Sequence, residues 1–132
     1  MIYGEYREPL RSGGKLVVSA YNWKIEYYFS GVDLRHNGTF FEIEDKEIDK
    51  YVSAWKNNFK TYTALQTKFS YNESFETTGE KNMPIRIGKF SGVYLMPFNL
   101  PVKNENELNR LLSDYAYAKK RATRVQCMMK TL

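Results

Sequence analysis

The residue types that most often carry catalysis or bind metals are scarce in this chain. His36 is the only histidine and Cys127 the only cysteine among its 132 residues. A structural zinc site draws about four ligands from Cys and His, and a nucleophilic triad needs a well-placed histidine. His36 precedes Asn37-Gly38, a turn signal, so we expect it in an exposed turn. The inventory therefore predicts no metal site, no cofactor and no catalytic residue, and no disulfide can form within the chain.

One spacing is typical of some metal-dependent nucleases. An acid, a gap and then acid-x-Lys can hold Mg²⁺ and a water, and Asp33, Glu44 and Lys46 fit this spacing. In such enzymes the acid-x-Lys pair lies within a strand, so that both side chains point at one phosphate. Here the strand pattern ends at Glu44, and we expect Lys46 in the first turn of a helix, in contact with solvent. A metal-dependent nuclease is therefore kept only as the last alternative to a non-enzymatic protein.

The formal net charge of +5 comes from the C-terminal end of the chain. Residues 115–132 carry five basic side chains and no acidic one, whereas the remainder balances. Such a cluster attracts phosphates or acidic protein surfaces, or is only a solvated face that complements the helix dipole. Tyrosine, of which the chain has 11, can stack on bases or contact a protein. We predict that five residues bind the partner or nucleic acid: Tyr117, Lys119, Lys120, Arg121 and Arg124.

Alternating apolar residues predict strands in the first third of the chain. Residues 15–44 indicate a three-stranded antiparallel meander. From Asp45, a candidate N-cap, apolar side chains recur every three or four residues and predict a helix over 46–69. Residues 70–83 indicate a loop or weak hairpin. Residues 85–98 are strand-like but interrupted by glycine, which suggests a bulge or a break.

The clearest predicted element is a helix over residues 104–130. Asn104 and Glu107 have the spacing of a capping box. An apolar heptad follows, which can cover a sheet of the same chain or form the seam of a homodimer. Its members are Leu108, Leu111, Tyr115, Ala118, Ala122, Val125, Met129 and Leu132.

Together these elements predict one α+β domain over residues 1–132. We expect a small antiparallel sheet, consisting of the meander plus an extra strand or hairpin, packed against two long helices. The longest uncharged run, residues 90–102, contains two prolines and is too short to span a membrane. No stretch near the first residue is apolar enough for a signal peptide, so we expect an intracellular protein. The expected buried side chains are Trp55, Phe59, Leu108, Leu111 and Val125.

Residues 47–57 (EIDKYVSAWKN) begin the first predicted helix, after a strand entered through Asn37-Gly38. This segment resembles the strand-then-helix segment of small phage-encoded anti-CRISPR proteins that inhibit Cas9. There, a similar Ile-x-Lys-aromatic-aliphatic-Ser-Ala-aromatic-Lys-Asn helix start follows an Asn/Gly turn. The inhibitor that it resembles is shorter and strongly acidic and mimics DNA, whereas this chain is basic, so DNA mimicry is not implied. The resemblance implies a phage or mobile-element protein that binds a host defence machine in the cytoplasm of a bacterium.

Three functional classes follow from these observations. The lack of candidate catalytic residues, the tyrosine content and the resemblance to anti-CRISPR proteins favour a non-enzymatic inhibitor. Such an inhibitor would bind a protein or ribonucleoprotein partner. The alternative is a nucleic-acid-binding protein that uses the basic C-terminal helix. An enzyme comes last, supported only by Asp33 and Glu44.

Overall fold

A computed structural model describes residues 4–28, 40–70 and 72–131. The strands in these ranges are β1 (Tyr6–Pro9), β2 (Lys15–Val18), β3 (Trp23–Tyr28), β4 (Phe40–Glu44), β5 (Phe75–Thr78), β6 (Pro84–Ile87), β7 (Gly92–Leu95) and β8 (Leu100–Val102). The long helices are α1 (Asp45–Gln66) and α2 (Glu105–Lys130). The predicted α+β class is confirmed.

The strands form two antiparallel four-stranded sheets, in the orders β1-β2-β3-β4 and β5-β6-β7-β8. The chain divides into two compact units. The first unit comprises Met1–Ile48 and Asn109–Leu132, and the second comprises Asp49–Leu108. The sequence predicts one sheet extended by a strand or hairpin. Instead, the predicted strand over 85–98 breaks at Gly88, where φ is 94°, and its two parts pair with each other as β6 and β7. These two strands pair further with β5 and β8 in a sheet of their own.

The core of the first unit follows one row of apolar side chains across its sheet. Ile25 on β3 lies opposite Leu16 on β2 and Ile43 on β4, and all three are fully buried. The heptad stripe of α2 is also buried, at Leu111, Tyr115, Ala118, Ala122 and Val125. Of the two packings that the sequence leaves open, burial of this stripe within the chain is the one present.

Asp45 connects the start of α1 to the sheet of the first unit. Its carboxylate accepts the backbone N–H of Lys46 at 2.7 Å and that of Trp23, the first residue of β3, at 3.4 Å. The Asp45 carboxylate therefore bonds to the amide directly after it and not to the second or third amide of the helix, which a typical N-cap side chain accepts.

In the second unit, α1 packs on the sheet through Trp55. The indole Nε1 donates to the carbonyl of Met96 at 3.0 Å, and the ring meets Phe98 edge-to-face with centroids 5.8 Å apart. Four of the five predicted buried side chains are buried, but Phe59 is only half-buried. The reason is helical geometry, because the buried face of α1 is centred on Trp55, Asn58 and Tyr62 and leaves Phe59 on its flank.

The predicted capping box at the start of α2 is present. Asn104 Oδ1 accepts the Glu107 N–H at 2.9 Å, while Glu107 Oε2 reaches back to the N–H of Lys103 at 3.0 Å. The glutamate thus satisfies the amide before the cap residue rather than that of the cap itself. Both bonds fix where α2 begins.

Some of the sequence predictions concern residues outside the described ranges. Asp33, His36 and the Asn37-Gly38 turn are among them, and so is part of the meander predicted over 15–44. In the described part of the chain, neither long helix is apolar enough over a sufficient length to cross a membrane.

Candidate partner-binding surface

The exposed side of α2 carries a line of apolar and cationic side chains in the first unit. Tyr117, Lys120, Arg124 and Met128 follow one another at intervals of three and four residues, which places them along one side of the helix. Tyr117 is 46% exposed and Met128 is 48% exposed, and both cations are exposed. These four residues are named the α2 ridge below.

Glu8 on β1 holds one end of this ridge in place. Its carboxylate accepts hydrogen bonds from the hydroxyls of Tyr117 and Tyr6 and from Arg121 Nε, which lies 3.2 Å away. The hydrogen bonds from Tyr117 and Tyr6, and then the charge-assisted bond from Arg121, hold the pKa of Glu8 below its usual value. Conversely, donation to Glu8 raises the pKa of Tyr117. The cluster therefore contains a stable carboxylate that connects β1 to α2.

The structure separates the five residues that the sequence predicts as a single contact surface. Lys120 and Arg124 share the ridge with Tyr117. Arg121 is half-buried, and its guanidinium bonds to Glu8 and, at 3.1 Å, to Tyr6. Lys119 is exposed on the opposite flank of the helix. Two of the four predicted cations, together with the tyrosine, therefore form one surface.

A groove of about 460 Å³ lies beside Tyr117 in the first unit. Asp114 in its wall is buried and accepts the Ser12 N–H at 2.5 Å, which fixes the turn after β1 to α2. The other wall residues come from the β1 segment and from α2, namely Glu8, Pro9, Leu10, Arg11, Ser113 and Tyr117. A partner side chain that contacts Tyr117 can therefore enter a preformed concavity.

The sequence analysis did not identify Glu8, Tyr6 or Met128 as parts of this surface. Tyr6 and Glu8 are two residues apart in β1, so their side chains lie on the same face of the strand. Their contact with α2 joins residues more than one hundred positions apart, so local spacing carries no signal for it. Met128 falls outside the buried heptad but lies four residues after Arg124, a spacing visible in the sequence.

Two residues of the nuclease-like spacing, Glu44 and Lys46, lie where the sequence predicts them, and the third, Asp33, is outside the described ranges. Glu44 is the last residue of β4 and Lys46 lies in the first turn of α1, with Lys46 Nζ 3.4 Å from Glu44 Oε2. The pair therefore neutralises itself at an exposed strand end. Over residues 4–28, 40–70 and 72–131, no three His, Cys, Asp or Glu side chains come together in a way that could hold a metal ion.

No protein-family model, curated protein or solved structure matches this chain. Residues 47–57, which carry the anti-CRISPR resemblance, all lie within α1. The resemblance to that family stays a prediction.

Proposed function

We propose that this chain is a non-enzymatic binding protein that docks on a protein or ribonucleoprotein partner through the α2 ridge. The observation that carries the proposal is the ridge itself, which places the exposed Tyr117 and Met128 on one line with Lys120 and Arg124. Tyrosine and methionine supply contact area at interfaces, and they are enriched there for that reason.

The charge of α2 defines the kind of surface that it favours. From Tyr115 to the end of the helix, α2 has basic but no acidic side chains. A uniformly basic strip is repelled by basic surfaces and steers towards acidic proteins or phosphates. The partner that fits is therefore acidic, or presents a nucleic acid that it has bound.

The resemblance of residues 47–57 to anti-CRISPR proteins supports a more specific form of the proposal. In that form, the chain is a phage or mobile-element inhibitor that acts on a host defence complex in the cytoplasm of a bacterium. A ribonucleoprotein such as Cas9 with its guide RNA contains RNA phosphates, which suit the cations of the α2 ridge.

Cleavage of target DNA by a Cas9–guide RNA complex tests this form of the proposal. The informative variant is Lys120→Glu/Arg124→Glu, which reverses both cations of the ridge and leaves Arg121 in its internal contacts. Lys56→Glu/Lys60→Glu is the matched control, since these exposed lysines of α1 have the same four-residue spacing. We expect the wild type and the control to inhibit cleavage equally, and the ridge variant to lose about tenfold in potency.

Two outcomes would overturn parts of the proposal separately. If the wild type does not inhibit cleavage, the anti-CRISPR form of the proposal is wrong. If it inhibits but the ridge variant and the control are equally potent, then the chain is an inhibitor that does not use the α2 ridge.

The basic helix also supports a second candidate function, nucleic-acid binding. Tyr117 lies one turn before Lys120, so a base and a neighbouring phosphate could be contacted together. Titration of duplex DNA binding against salt discriminates between the two functions. Neutralisation of two phosphates predicts a slope of log affinity against log salt of about −2. A salt-independent affinity, or an affinity that the ridge variant retains, would contradict this function.

A further inference from the structure

The turn between β6 and β7, residues 88–91, holds an aromatic side chain in an unfavourable backbone conformation. The Ser91 N–H donates to the Gly88 carbonyl at 3.1 Å, which closes a β-turn with Phe90 in its third position. Phe90 has φ 60°, a value that turns normally assign to Gly or Asn at this position. For a side chain as bulky as Phe, such a conformation is a genuine outlier.

Packing within the chain does not compensate for this conformation. The side chain of Phe90 is 64% exposed, so its burial stabilises the fold little. The turn is fixed instead through the backbone, because the Tyr94 hydroxyl donates to the Phe90 carbonyl at 2.8 Å. That bond needs no particular side chain at position 90. A strained residue that the fold does not require indicates a function for its side chain.

The surroundings of Phe90 combine aromatic rings with cations. Lys89 Nζ lies 5.4 Å from the centre of the Phe90 ring, and Lys89 is exposed. The guanidinium of Arg86 lies 4.8 Å from the ring of Tyr94. Phe75, which is 37% exposed, stacks on Phe69 with ring centroids 4.8 Å apart.

Four of these side chains line a concavity of about 220 Å³. Its wall includes Phe75, Arg86, Lys89 and Phe90, and the single carboxylate in it, that of Glu76, lies 3.3 Å from Arg86 Nε. Because Glu76 is paired with Arg86, the positive charge of Lys89 remains available to a ligand. The volume suits one planar ring rather than a folded domain or a helix.

We propose that this concavity binds single-stranded nucleic acid, with one base stacked on Phe90 and its phosphate at Lys89. A protein partner would favour an apolar pocket that excludes water, whereas here an exposed ring lies beside an exposed lysine. Stacking of a base on an aromatic side chain contributes about five- to hundredfold in affinity and tolerates any base. All of these residues belong to the second unit, and the proposal does not depend on the α2 ridge.

Binding of fluorescein-labelled oligothymidylate of about 12 nucleotides, measured by anisotropy, tests this site. The measurements use the full chain with Lys120→Glu/Arg124→Glu, so that the α2 ridge does not contribute. Phe90→Gly removes the ring and relieves the positive φ. We expect it to lose at least about fivefold in affinity and to be at least as stable as the parent towards urea. Phe90→Asn, which also suits this φ, gives a second ring-free variant.

Further variants separate stacking from apolar contact and from charge. Phe90→Trp keeps a stacking surface and should retain the affinity, whereas Phe90→Leu keeps apolar area and should lose it. Lys89→Glu should weaken binding and reduce the salt slope by about one. Two controls should bind as the parent does: Tyr21→Gly, which removes an exposed ring from another turn, and Lys60→Glu, which changes the charge elsewhere in the second unit.

The site is wrong as proposed if the parent does not bind the oligonucleotide at about 50 mM salt, or if both ring-free variants bind as the parent does. If Phe90→Leu retains the affinity, the ring acts as apolar surface and the stacking proposal is also overturned. An oligouridylate of the same length distinguishes RNA from DNA, and tighter binding of either one still supports the site. Duplex DNA, whose bases stack on one another, should bind equally to Phe90→Gly and to the parent. If Phe90→Gly loses as much affinity for the duplex as for the single strand, base stacking on Phe90 is contradicted.

Discussion

Replacement of Glu8 by glutamine should weaken the attachment of α2 to β1 in the first unit. The change removes the charge that accepts bonds from Tyr117, Tyr6 and Arg121. A hydrogen bond to a charged group contributes about 1.5–3 kcal/mol when buried. The Glu8 and Arg121 side chains are 21% and 29% exposed, so water replaces part of what is lost, and bonds to one acceptor are not additive. We therefore expect Glu8→Gln to lower the free energy of unfolding by about 2 kcal/mol.

Urea denaturation followed by circular dichroism measures this change in the free energy of unfolding. In thermal denaturation of a chain of this size, a loss of about 2 kcal/mol corresponds to a fall in melting temperature of roughly 6–10 °C. Glu5→Gln is the matched control, because Glu5 pairs with Arg7 and both side chains are about half exposed. We expect no measurable loss from it. If the two substitutions change stability equally, the Glu8 cluster does not hold α2 in place.

The same cluster predicts a dependence of stability on pH. The pKa of Glu8 is lowered in the folded chain by its bonds from Tyr117, Tyr6 and Arg121, from a usual value of 4.5. The contribution of Glu8 to the free energy of unfolding is therefore fully present above about pH 4.5. It is lost as the pH falls through the lower pKa that Glu8 has in the folded chain. The stability difference between the wild type and Glu8→Gln should shrink over that acidic range. A difference that stays constant down to acid unfolding would contradict this cause.

Three further substitutions test the second unit. Gly79→Ala should destabilise the fold by about 1–3 kcal/mol, because the new Cβ would lie 2.2 Å from Asn58 Oδ1. The same substitution should destabilise an Asn58→Ala variant much less, and a double-mutant cycle in urea measures this difference. Trp55→Phe should lower stability by about 1–3 kcal/mol, because it removes the part-buried hydrogen bond of 3.0 Å to the Met96 carbonyl; an unchanged urea midpoint would refute this. Asn104→Ala should cost about 1 kcal/mol by removing the cap of α2, visible as a loss of helical dichroism on mild heating.

The elements that the sequence predicts well are those with local and redundant signals. The predicted C-terminal helix, 104–130, differs from α2 by one residue because Asn104, Glu107 and the apolar heptad all indicate the same bounds. The first helix ends at Gln66 rather than at 69. Phe69 continues the apolar spacing, but it stacks on Phe75 instead of extending the helix.

The strands that the sequence does not predict depend on partners distant in the chain. The β1 strand is rich in charge and includes a proline, and it becomes a strand because Glu8 pairs with Leu16 of β2 and bonds to α2. The β5 and β8 strands are polar or contain proline, and each pairs with only one neighbour at the edge of its sheet. The candidate partner-binding surface also depends on contacts that local sequence spacing does not reveal. Lys120 and Arg124 could be assigned to a surface from their spacing, whereas the internal role of Arg121 requires the position of Glu8.

The division of the chain into two units affects the order in which they can form during synthesis. The second unit is one continuous segment, Asp49–Leu108, whereas the first is completed only by residues after it. A ribosome that adds roughly 5–20 residues per second needs about 3–12 s to make this segment. During that time the buried row of Leu16, Ile25 and Ile43 has no α2 to cover it. During synthesis of the second unit, the apolar face of the first sheet is therefore the surface on which a chaperone that binds apolar side chains would act.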